Sequence, residues 1–265
     1  MDLRLGGKRA IVTGASRGIG LAVARALAAE GVRIALVARG EAGLKAARDD
    51  LAGRGADVLA LSADSADDDA VRAAVAQTAD EFGGVDILVN AAARPAQASS
   101  ARPVTDLADD DLRTEMETKV LGYLRFARAV VPHMTPQGWG RIINMSGLNA
   151  RRTGDTFGSI RNVAVSALTK NLADELGPHG INVTVVHPGL TVTERAPELI
   201  ASMAAARGIS ESEARSTLAA GTSLRRLVTA AEVADVVAFL ASPRSVAITG
   251  DAVAVGGGVP GPIWY

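Results

Sequence analysis

The 265-residue sequence contains no cysteine and only three histidines. The lack of cysteine excludes disulfides, thiolate metal sites and a thiol nucleophile. The histidines, His133, His179 and His187, are never three or four residues apart, so no pair of them can bind a metal from one face of a helix. We therefore predict that the protein has no metal site.

Aromatic residues and net charge are also scarce. Aromatic side chains make up 3% of the residues, and the formal net charge is −1. Such a chain has few platforms for stacking bases and no basic field to attract phosphate backbones, so we predict no nucleic-acid partner. No apolar run reaches about 18 residues, and the N-terminus MDLRLGGKRAIV has no apolar leader. We predict a cytoplasmic protein without a membrane partner.

Apolar runs, by contrast, are frequent and alternate with longer amphipathic segments. Continuous apolar runs are typical of strands buried in a parallel sheet. The runs include AIV, IALV, VDILV, RIINM, INVTVV and, near the C-terminus, DAVAV. No linker or repeat divides the chain, so the pattern predicts one doubly wound Rossmann-type α/β domain over 1–265. Its parallel sheet would have seven strands between layers of helices.

Three helix starts carry residues that cap the first turn. In this pattern a hydroxyl side chain is followed three residues later by an acidic side chain. The predicted pairs are Ser65 with Asp68, Ser210 with Glu213, and Thr229 with Glu232.

The segment TGASRGIG, residues 13–20, follows the first predicted strand and opens the first predicted helix. Gly14, Gly18 and Gly20 permit a tight turn and a close approach of the backbone to a pyrophosphate. The helix N-terminus offers unpaired N–H groups to the same anion. The segment therefore predicts a dinucleotide-binding turn.

The order of several motifs resembles the short-chain dehydrogenase/reductase family. The family's T-G-x-x-x-G-x-G turn matches Thr13 to Gly20, and further similar motifs follow in the family's order. They are DILVNAAA at 86–93, GRIINMSG at 140–147, VVHPGLTVT at 185–193 and ITGDAVAVGGG at 248–258. The resemblance implies an oxidoreductase acting on a small carbonyl or hydroxyl compound. It also implies a homodimer or homotetramer and a substrate-covering helical segment at about 194–226.

The second strand ends in Arg39, where an acidic residue would bind the ribose 2′-hydroxyl of NAD. An arginine there suits a 2′-phosphate, and Arg17 in the glycine turn can approach the same group. We therefore predict NADP(H) as the cofactor. The predicted cofactor-binding residues are Gly14, Ser16, Arg17, Gly18, Ile19, Gly20 and Arg39. The resemblance implies six more: Asp64 at the adenine, Asn90 at the ribose, and Pro188, Gly189, Thr191 and Thr193 at the nicotinamide.

The residues on which the family's proton transfer depends are replaced. The family uses a tyrosine that exchanges a proton with the substrate, a lysine one turn further along the helix, a serine and an asparagine. Alignment with these motifs places Gly158 at the tyrosine, Asn162 at the lysine, Gly147 at the serine and Lys119 at the asparagine.

The loss of the tyrosine and the lysine does not depend on the alignment. No tyrosine occurs between Tyr123 and Tyr265, and no lysine occurs between Lys119 and Lys170. Hydride transfer to a carbonyl builds an alkoxide that needs a positioned acid. An enzyme with this sequence would need another proton donor.

The candidate replacements are Lys119, Ser146, Arg152 and Asp155. A desolvated lysine can donate a proton near neutral pH, and with an arginine it would favour an anionic or enol-type substrate. Ser146 lies one residue before the serine position. The alternatives are that Lys119 forms a structural ion pair with Asp155 or a neighbour, and that the arginines of segment 149–161 solvate a loop. The C-terminal Tyr265 could also reach the site of a neighbouring subunit.

Three hypotheses about the function remain open at this point. The first is an NADP(H)-dependent oxidoreductase with a non-standard active site. The second is a lyase or isomerase on the same scaffold, because a fold does not fix its chemistry. The third is a catalytically silent protein that binds NADP(H) or stabilises a partner subunit.

Overall fold

The computed structural model describes residues 1–93 and 103–260, so Tyr265 lies outside the described residues. The described strands are β1 (Arg9–Thr13), β2 (Arg33–Ala38), β3 (Val58–Ser62), β4 (Ile87–Asn90), β5 (Gly140–Met145), β6 (Ile181–Pro188), β7 (Thr191–Val192), β8 (Val228–Thr229) and β9 (Ala252–Val255).

The helices alternate with these strands. They are α1 (Gly18–Ala29), α2 (Glu41–Ala52), α3 (Asp68–Phe82), α4 (Asp109–Glu115), α5 (Gly122–Met134), α6 (Thr156–Leu176), α7 (Ala196–Arg207), α8 (Glu211–Ala220) and α9 (Ala230–Ala241). A π-helical segment, Met116–Leu121, joins α4 to α5. Short 3-10 helices lie in several of the loops between these elements, including Leu148–Arg151 between β5 and α6.

Seven of the strands form one sheet in the order β3-β2-β1-β4-β5-β6-β9, and all neighbours in it run parallel. The prediction of a seven-stranded parallel sheet is confirmed. The chain's direction of travel across the sheet reverses between β1 and β4. In open α/β sheets this reversal opens a crevice at the carboxyl ends of the strands, where ligands bind.

Helices cover both faces of the sheet. On one face α1, α2 and α9 pack against it through side chains such as Leu27, Leu44 and Val237. On the other face α3, α5 and α6 do so through side chains such as Phe126 and Leu176. Because every residue of β5 and β6 is buried between these layers, the strands have continuous apolar stretches instead of an alternating pattern.

The capping predictions are confirmed at two helices and wrong at one. Capping boxes of Ser210 and of Thr229 begin α8 and α9. The cap of α3 is Asp67, whose carboxylate accepts the N–H groups of Asp69 and Ala70. Ser65 instead donates its hydroxyl to the carbonyl of Thr118 at 3.1 Å, so it ties this loop to the π-helical segment.

The segment after β6 forms a smaller unit beside the main sheet. Strands β7 and β8 pair in parallel, and α7 packs on α8 through Ile200, Ala204 and Ala214. Among the residues that the structure describes, no helix combines the length and apolar character needed to cross a bilayer.

Candidate active site

The glycine turn between β1 and α1 is closely packed against the end of β4. Gly14 has a φ of +66°, and a Cβ atom there would lie 2.8 Å from the carbonyl oxygen of Ala91. A Cβ at Gly20 would overlap the Gly14 carbonyl, so the helix can start directly against the turn only with glycine. The hydroxyl of Thr13 accepts the N–H groups of Ala91 and Ala92 at 3.0 and 3.1 Å, which holds the chain after β4 against the glycine turn. The turn therefore has the backbone geometry that was predicted for it.

The N-terminus of α1 faces a carboxylate. Arg17 precedes the helix without capping it through its side chain, and its guanidinium is exposed. Gly18 has a φ of +60° and donates its N–H to Glu194 Oε2 at 3.1 Å. Ile19 packs partly against the core, and Ser16 lies against α2, where a Cβ on Gly43 would be 3.1 Å from the Ser16 Cβ.

Arg39 lies directly after β2, beside Asp64. Arg39 Nη1 is 3.8 Å from Asp64 Oδ2, and the two side chains are 62% and 42% exposed. The other oxygen, Asp64 Oδ1, accepts the N–H of Ala66 at 3.0 Å. Both side chains are therefore exposed enough to meet a ligand, and among the described residues this long ion pair is the contact that Arg39 makes through its guanidinium.

Asn90 ends β4 and is fully buried. Its Nδ2 donates to Asn144 Oδ1 at 2.9 Å, while Asn90 Oδ1 has no hydrogen-bond partner within the part of the chain that the structure describes. Asn144 in turn donates to the Thr169 hydroxyl at 3.0 Å, which links the sheet to α6. The amide group of Asn90 is thus used inside the sheet, and its predicted contact with the ribose stays a prediction.

The turn after β6 reaches the same edge of the sheet. A Cβ on Gly189 would be 2.8 Å from the Cα of Gly256, which brings this turn against the end of β9. The Thr191 hydroxyl donates to the Gly189 carbonyl at 3.0 Å. The Thr193 methyl group lies near the glycine turn, 3.8 Å from where a Gly18 Cβ would be. The Thr193 end of this turn therefore lies beside the glycine turn, and the two line a common cavity.

Lys119 lies in the π-helical segment and is 4% exposed. Its Nζ donates to the carbonyl oxygen of Ser146 at 3.0 Å and to Asn162 Oδ1 at 3.1 Å. The ammonium therefore bridges the end of β5 and the first turns of α6. Since Lys119 and Asn162 are 43 residues apart, only the tertiary fold brings them together.

Charged side chains surround this ammonium. Arg161 and Glu115 form an ion pair between α6 and α4, and only 10% and 22% of their side chains are exposed. Burial lowers the pKa of Lys119 well below its ordinary value, the positive charge of Arg161 lowers it further, and Glu115 opposes the shift. The ammonium of Lys119 is consequently a much stronger acid than that of an exposed lysine.

Ser146 and His187 complete the environment at the end of β5. The Ser146 hydroxyl donates to the backbone carbonyl of Asn162 at 2.9 Å, so it is directed toward α6. His187 Nδ1 accepts the N–H of Gly147 at 3.4 Å. Burial, together with the charges of Arg151 and Lys119, lowers the pKa of His187 to about 4, so its imidazole is neutral at pH 7. His187 is therefore a buried, neutral side chain that accepts a backbone N–H.

Asp155 caps α6 and lies against Gly158. Its Oδ1 accepts the Gly158 N–H at 2.9 Å, and its Oδ2 accepts from Asn149 Nδ2 at 3.3 Å. A Cβ on Gly158 would overlap Asp155 Oδ2. The carboxylate therefore fills the space in which a side chain at position 158 would begin.

The structure tests the alternatives for the charged residues. Within the described residues Lys119 forms no ion pair with Asp155, since two of its donors go to Ser146 and Asn162, and the acidic neighbour whose charge acts on it is Glu115. The arginines do not all solvate a loop: Arg152 is exposed, but Arg161 is buried in its ion pair. In the same part of the chain, no group of three acidic or histidine side chains is placed to hold a metal ion.

Sequence reasoning missed Glu115 and Glu194. Glu115 could have been found, because it lies four residues before Lys119 and so on the same side of its helix. Glu194 is 176 residues from its partner Gly18, and no local pattern indicates the contact.

The glycine turn at the switch point of a parallel sheet defines a doubly wound α/β fold of the dinucleotide-binding class. A family model described as Enoyl-(Acyl carrier protein) reductase matches residues 14–260. The chain belongs to the short-chain dehydrogenase/reductase family.

Individual proteins of the family are similar over nearly the whole chain. Short-chain reductase protein NovJ of Streptomyces niveus is 38% identical over 252 residues, which cover 95% of this chain and 93% of that protein. The BbsC subunit of a hydroxy(phenyl)methylsuccinyl-CoA dehydrogenase of Thauera aromatica is 31% identical over 95% of this chain and 94% of its own. The solved structure of L-sorbose reductase from Gluconobacter frateurii, complexed with NADPH and L-sorbose, is 31% identical with a TM-score of 0.91. That match covers 99% of this chain and 100% of the reductase.

Proposed function

We propose that the protein is an NADP(H)-dependent oxidoreductase that interconverts a carbonyl and a hydroxyl group on a small molecule. In this proposal Lys119 replaces the family's tyrosine as proton donor. The observation that carries it is the position of the Lys119 ammonium, buried between Ser146 and Asn162 beside the crevice of the sheet.

The residues of the crevice fit a dinucleotide. Gly14 and Gly20 leave no room for a side chain, so a pyrophosphate could approach the backbone at the start of α1. Arg39 is exposed at the end of β2, and with Arg17 it suits a 2′-phosphate. A structural relative complexed with NADPH supports the same choice. When bound, the cofactor supplies or accepts the hydride.

Lys119 and Asn162 exchange the positions at which the family carries asparagine and lysine. Despite this exchange their side chains meet, with Nζ 3.1 Å from Oδ1. The ammonium of a lysine on the π-helical segment can thus lie close to residue 162 of α6, where the family has its lysine. We infer that the site keeps its cation and changes the helix that provides it.

The geometry allows this cation to donate a proton. An ammonium has three donors, and two of those of Lys119 are used by Ser146 and Asn162. The third can serve the substrate oxygen as negative charge develops on it. Burial lowers the pKa of Lys119, which makes its ammonium a stronger acid toward the substrate oxygen than an exposed lysine would be.

The other candidate residues would act on the substrate's polar groups. Asp155, held by Asn149 and the N-terminus of α6, presents a carboxylate where the family's tyrosine would begin. Arg152 is exposed three residues before Asp155 in the chain, and Ser146 mainly fixes α6 through its hydroxyl. Helices α7 and α8, within the segment at about 194–226, would cover the bound substrate.

The experiment combines cofactor titration with turnover. Calorimetry with NADPH and NADH tests the cofactor, and a ketose and a 3-oxoacyl thioester test carbonyl reduction by loss of nicotinamide absorbance. Lys119→Met should keep NADPH binding and lose turnover. The double variant Lys119→Asn with Asn162→Lys should restore part of what Lys119→Asn alone loses. Turnover by Lys119→Met at the wild-type rate would refute the role of Lys119.

A catalytically silent, partner-stabilising protein is the second candidate. One observation favours it: BbsC, similar over nearly the whole chain, is named as a subunit of a dehydrogenase. Ile160 and Val163 are 44% and 51% exposed on α6, so this helix has an apolar outer side that could meet another subunit. Tight NADPH binding without turnover, and turnover only after addition of a second family member, would support this candidate over the first.

A further inference from the structure

Glu194 occupies a position where an anion would bind. The first N–H groups of a helix have no partner within the helix, and they carry partial positive charge. In α1 the first of them, that of Gly18, donates to Glu194 Oε2 at 3.1 Å. The carboxylate therefore occupies a hydrogen-bond donor that the cofactor's pyrophosphate would use in the proposed function.

Glu194 belongs to the smaller unit that lies beside the main sheet. Glu194 follows β7, which pairs with β8, and it comes two residues before α7. It also lines a cavity of about 540 Å³ between α1, the end of β7 and the start of α9. The cavity gives the side chain room to leave Gly18 without a rearrangement of the core.

We propose that Glu194 competes with the diphosphate of the dinucleotide for the N-terminus of α1 and thereby sets the cofactor's affinity. Two anions cannot share one N–H donor, so binding requires that the carboxylate swing away. Charge-assisted hydrogen bonds are about twice as strong as neutral ones, which makes this displacement costly. The inference rests on the cofactor part of the proposed function and not on its chemistry.

The test compares Glu194→Gln with wild type. Glutamine can still accept the Gly18 N–H, so the fold is retained while the charge is removed. We expect NADPH to bind roughly three- to tenfold more tightly to Glu194→Gln, as measured by calorimetry. Adenosine 2′-monophosphate, which has the 2′-phosphate but no diphosphate, should bind equally to both proteins in competition measurements.

Glu198→Gln is the matched control. Glu198 lies in the first turn of α7, its side chain is 79% exposed, and its Oε2 lies 3.9 Å from Arg195 Nε. The change removes the same charge from the same segment without touching Gly18, so NADPH affinity should equal that of wild type.

Three results would overturn the inference. Equal NADPH affinity of wild type and Glu194→Gln would show that the carboxylate does not compete. An equal gain by Glu198→Gln, or for adenosine 2′-monophosphate, would show a general charge effect. If no variant binds NADPH, the cofactor assignment itself fails, which is distinguishable from a failure of Glu194 alone.

Discussion

Replacing Gly158 by alanine should have opposite effects on stability in two backgrounds. In the wild type the new Cβ would overlap Asp155 Oδ2, so the carboxylate must leave the Gly158 N–H that it accepts at 2.9 Å. In Asp155→Ala that obstacle is absent.

The magnitudes follow from the cap and from the helix. Loss of an N-cap hydrogen bond costs about 1 kcal/mol, and crowding of a packed site costs about 1–3 kcal/mol. Alanine in place of glycine in a helix gains about 0.5–1 kcal/mol. Gly158→Ala should therefore destabilise the wild type by about 1–3 kcal/mol and stabilise Asp155→Ala by about 0.5–1 kcal/mol.

Urea unfolding of the four proteins, followed by circular dichroism, measures this cycle. The free energies of unfolding should give a coupling of about 2–4 kcal/mol between the two positions. If Gly158→Ala has the same effect in both backgrounds, Asp155 does not fill the space beside residue 158. The physical reason given for a glycine at position 158 would then be wrong.

Three other changes test separate parts of the site. If Lys119 is the acid, the rate of carbonyl reduction should fall as pH rises through the lowered pKa of Lys119, and the rate of alcohol oxidation should rise over the same interval. This pH dependence should be absent in Lys119→Met, and a variant with the wild-type pH profile would contradict the assignment. Arg39→Ala should weaken NADPH binding roughly tenfold or more and leave NADH binding unchanged in the same calorimetric titration, whereas equal losses would refute recognition of the 2′-phosphate. His187 has a folded-state pKa of about 4 against an ordinary 6.5, so the unfolded chain takes up its proton first and stability should fall as pH drops from 6.5 toward 4. Thermal unfolding should show a smaller loss over this interval in His187→Gln, and an identical slope would contradict it.

The sheet could be predicted because its strands are buried on both faces. The stretch GRIINM reads as a strand despite Arg141, which is itself buried. Its guanidinium carbon lies 4.7 Å from the centre of the Trp139 ring, and burial lowers the pKa of Arg141 to about 10. The apolar pattern indicates the strand, but it gives no sign of how that cation is accommodated.

Local patterns predicted contacts within one turn and missed those across the fold. Ser65 and Asp67 both have capping side chains, and only the backbone path decides that Asp67 caps α3. The contact of Lys119 with Asn162 joins residues 43 apart, so the aligned motifs identified both positions but not that their side chains meet. The contact of Glu194 with Gly18 has no sequence signal because two loops meet there by tertiary packing.

The rate of NADPH oxidation with a carbonyl substrate, measured side by side for wild type and Lys119→Met at matched cofactor saturation, decides between an active reductase and a silent binding protein. We expect the wild type to turn over and Lys119→Met to be slower by roughly 100-fold or more, with NADPH affinity changed less than about threefold. A wild type that binds NADPH but oxidises none with either carbonyl class, or a Lys119→Met variant as fast as wild type, would contradict the proposed role of Lys119.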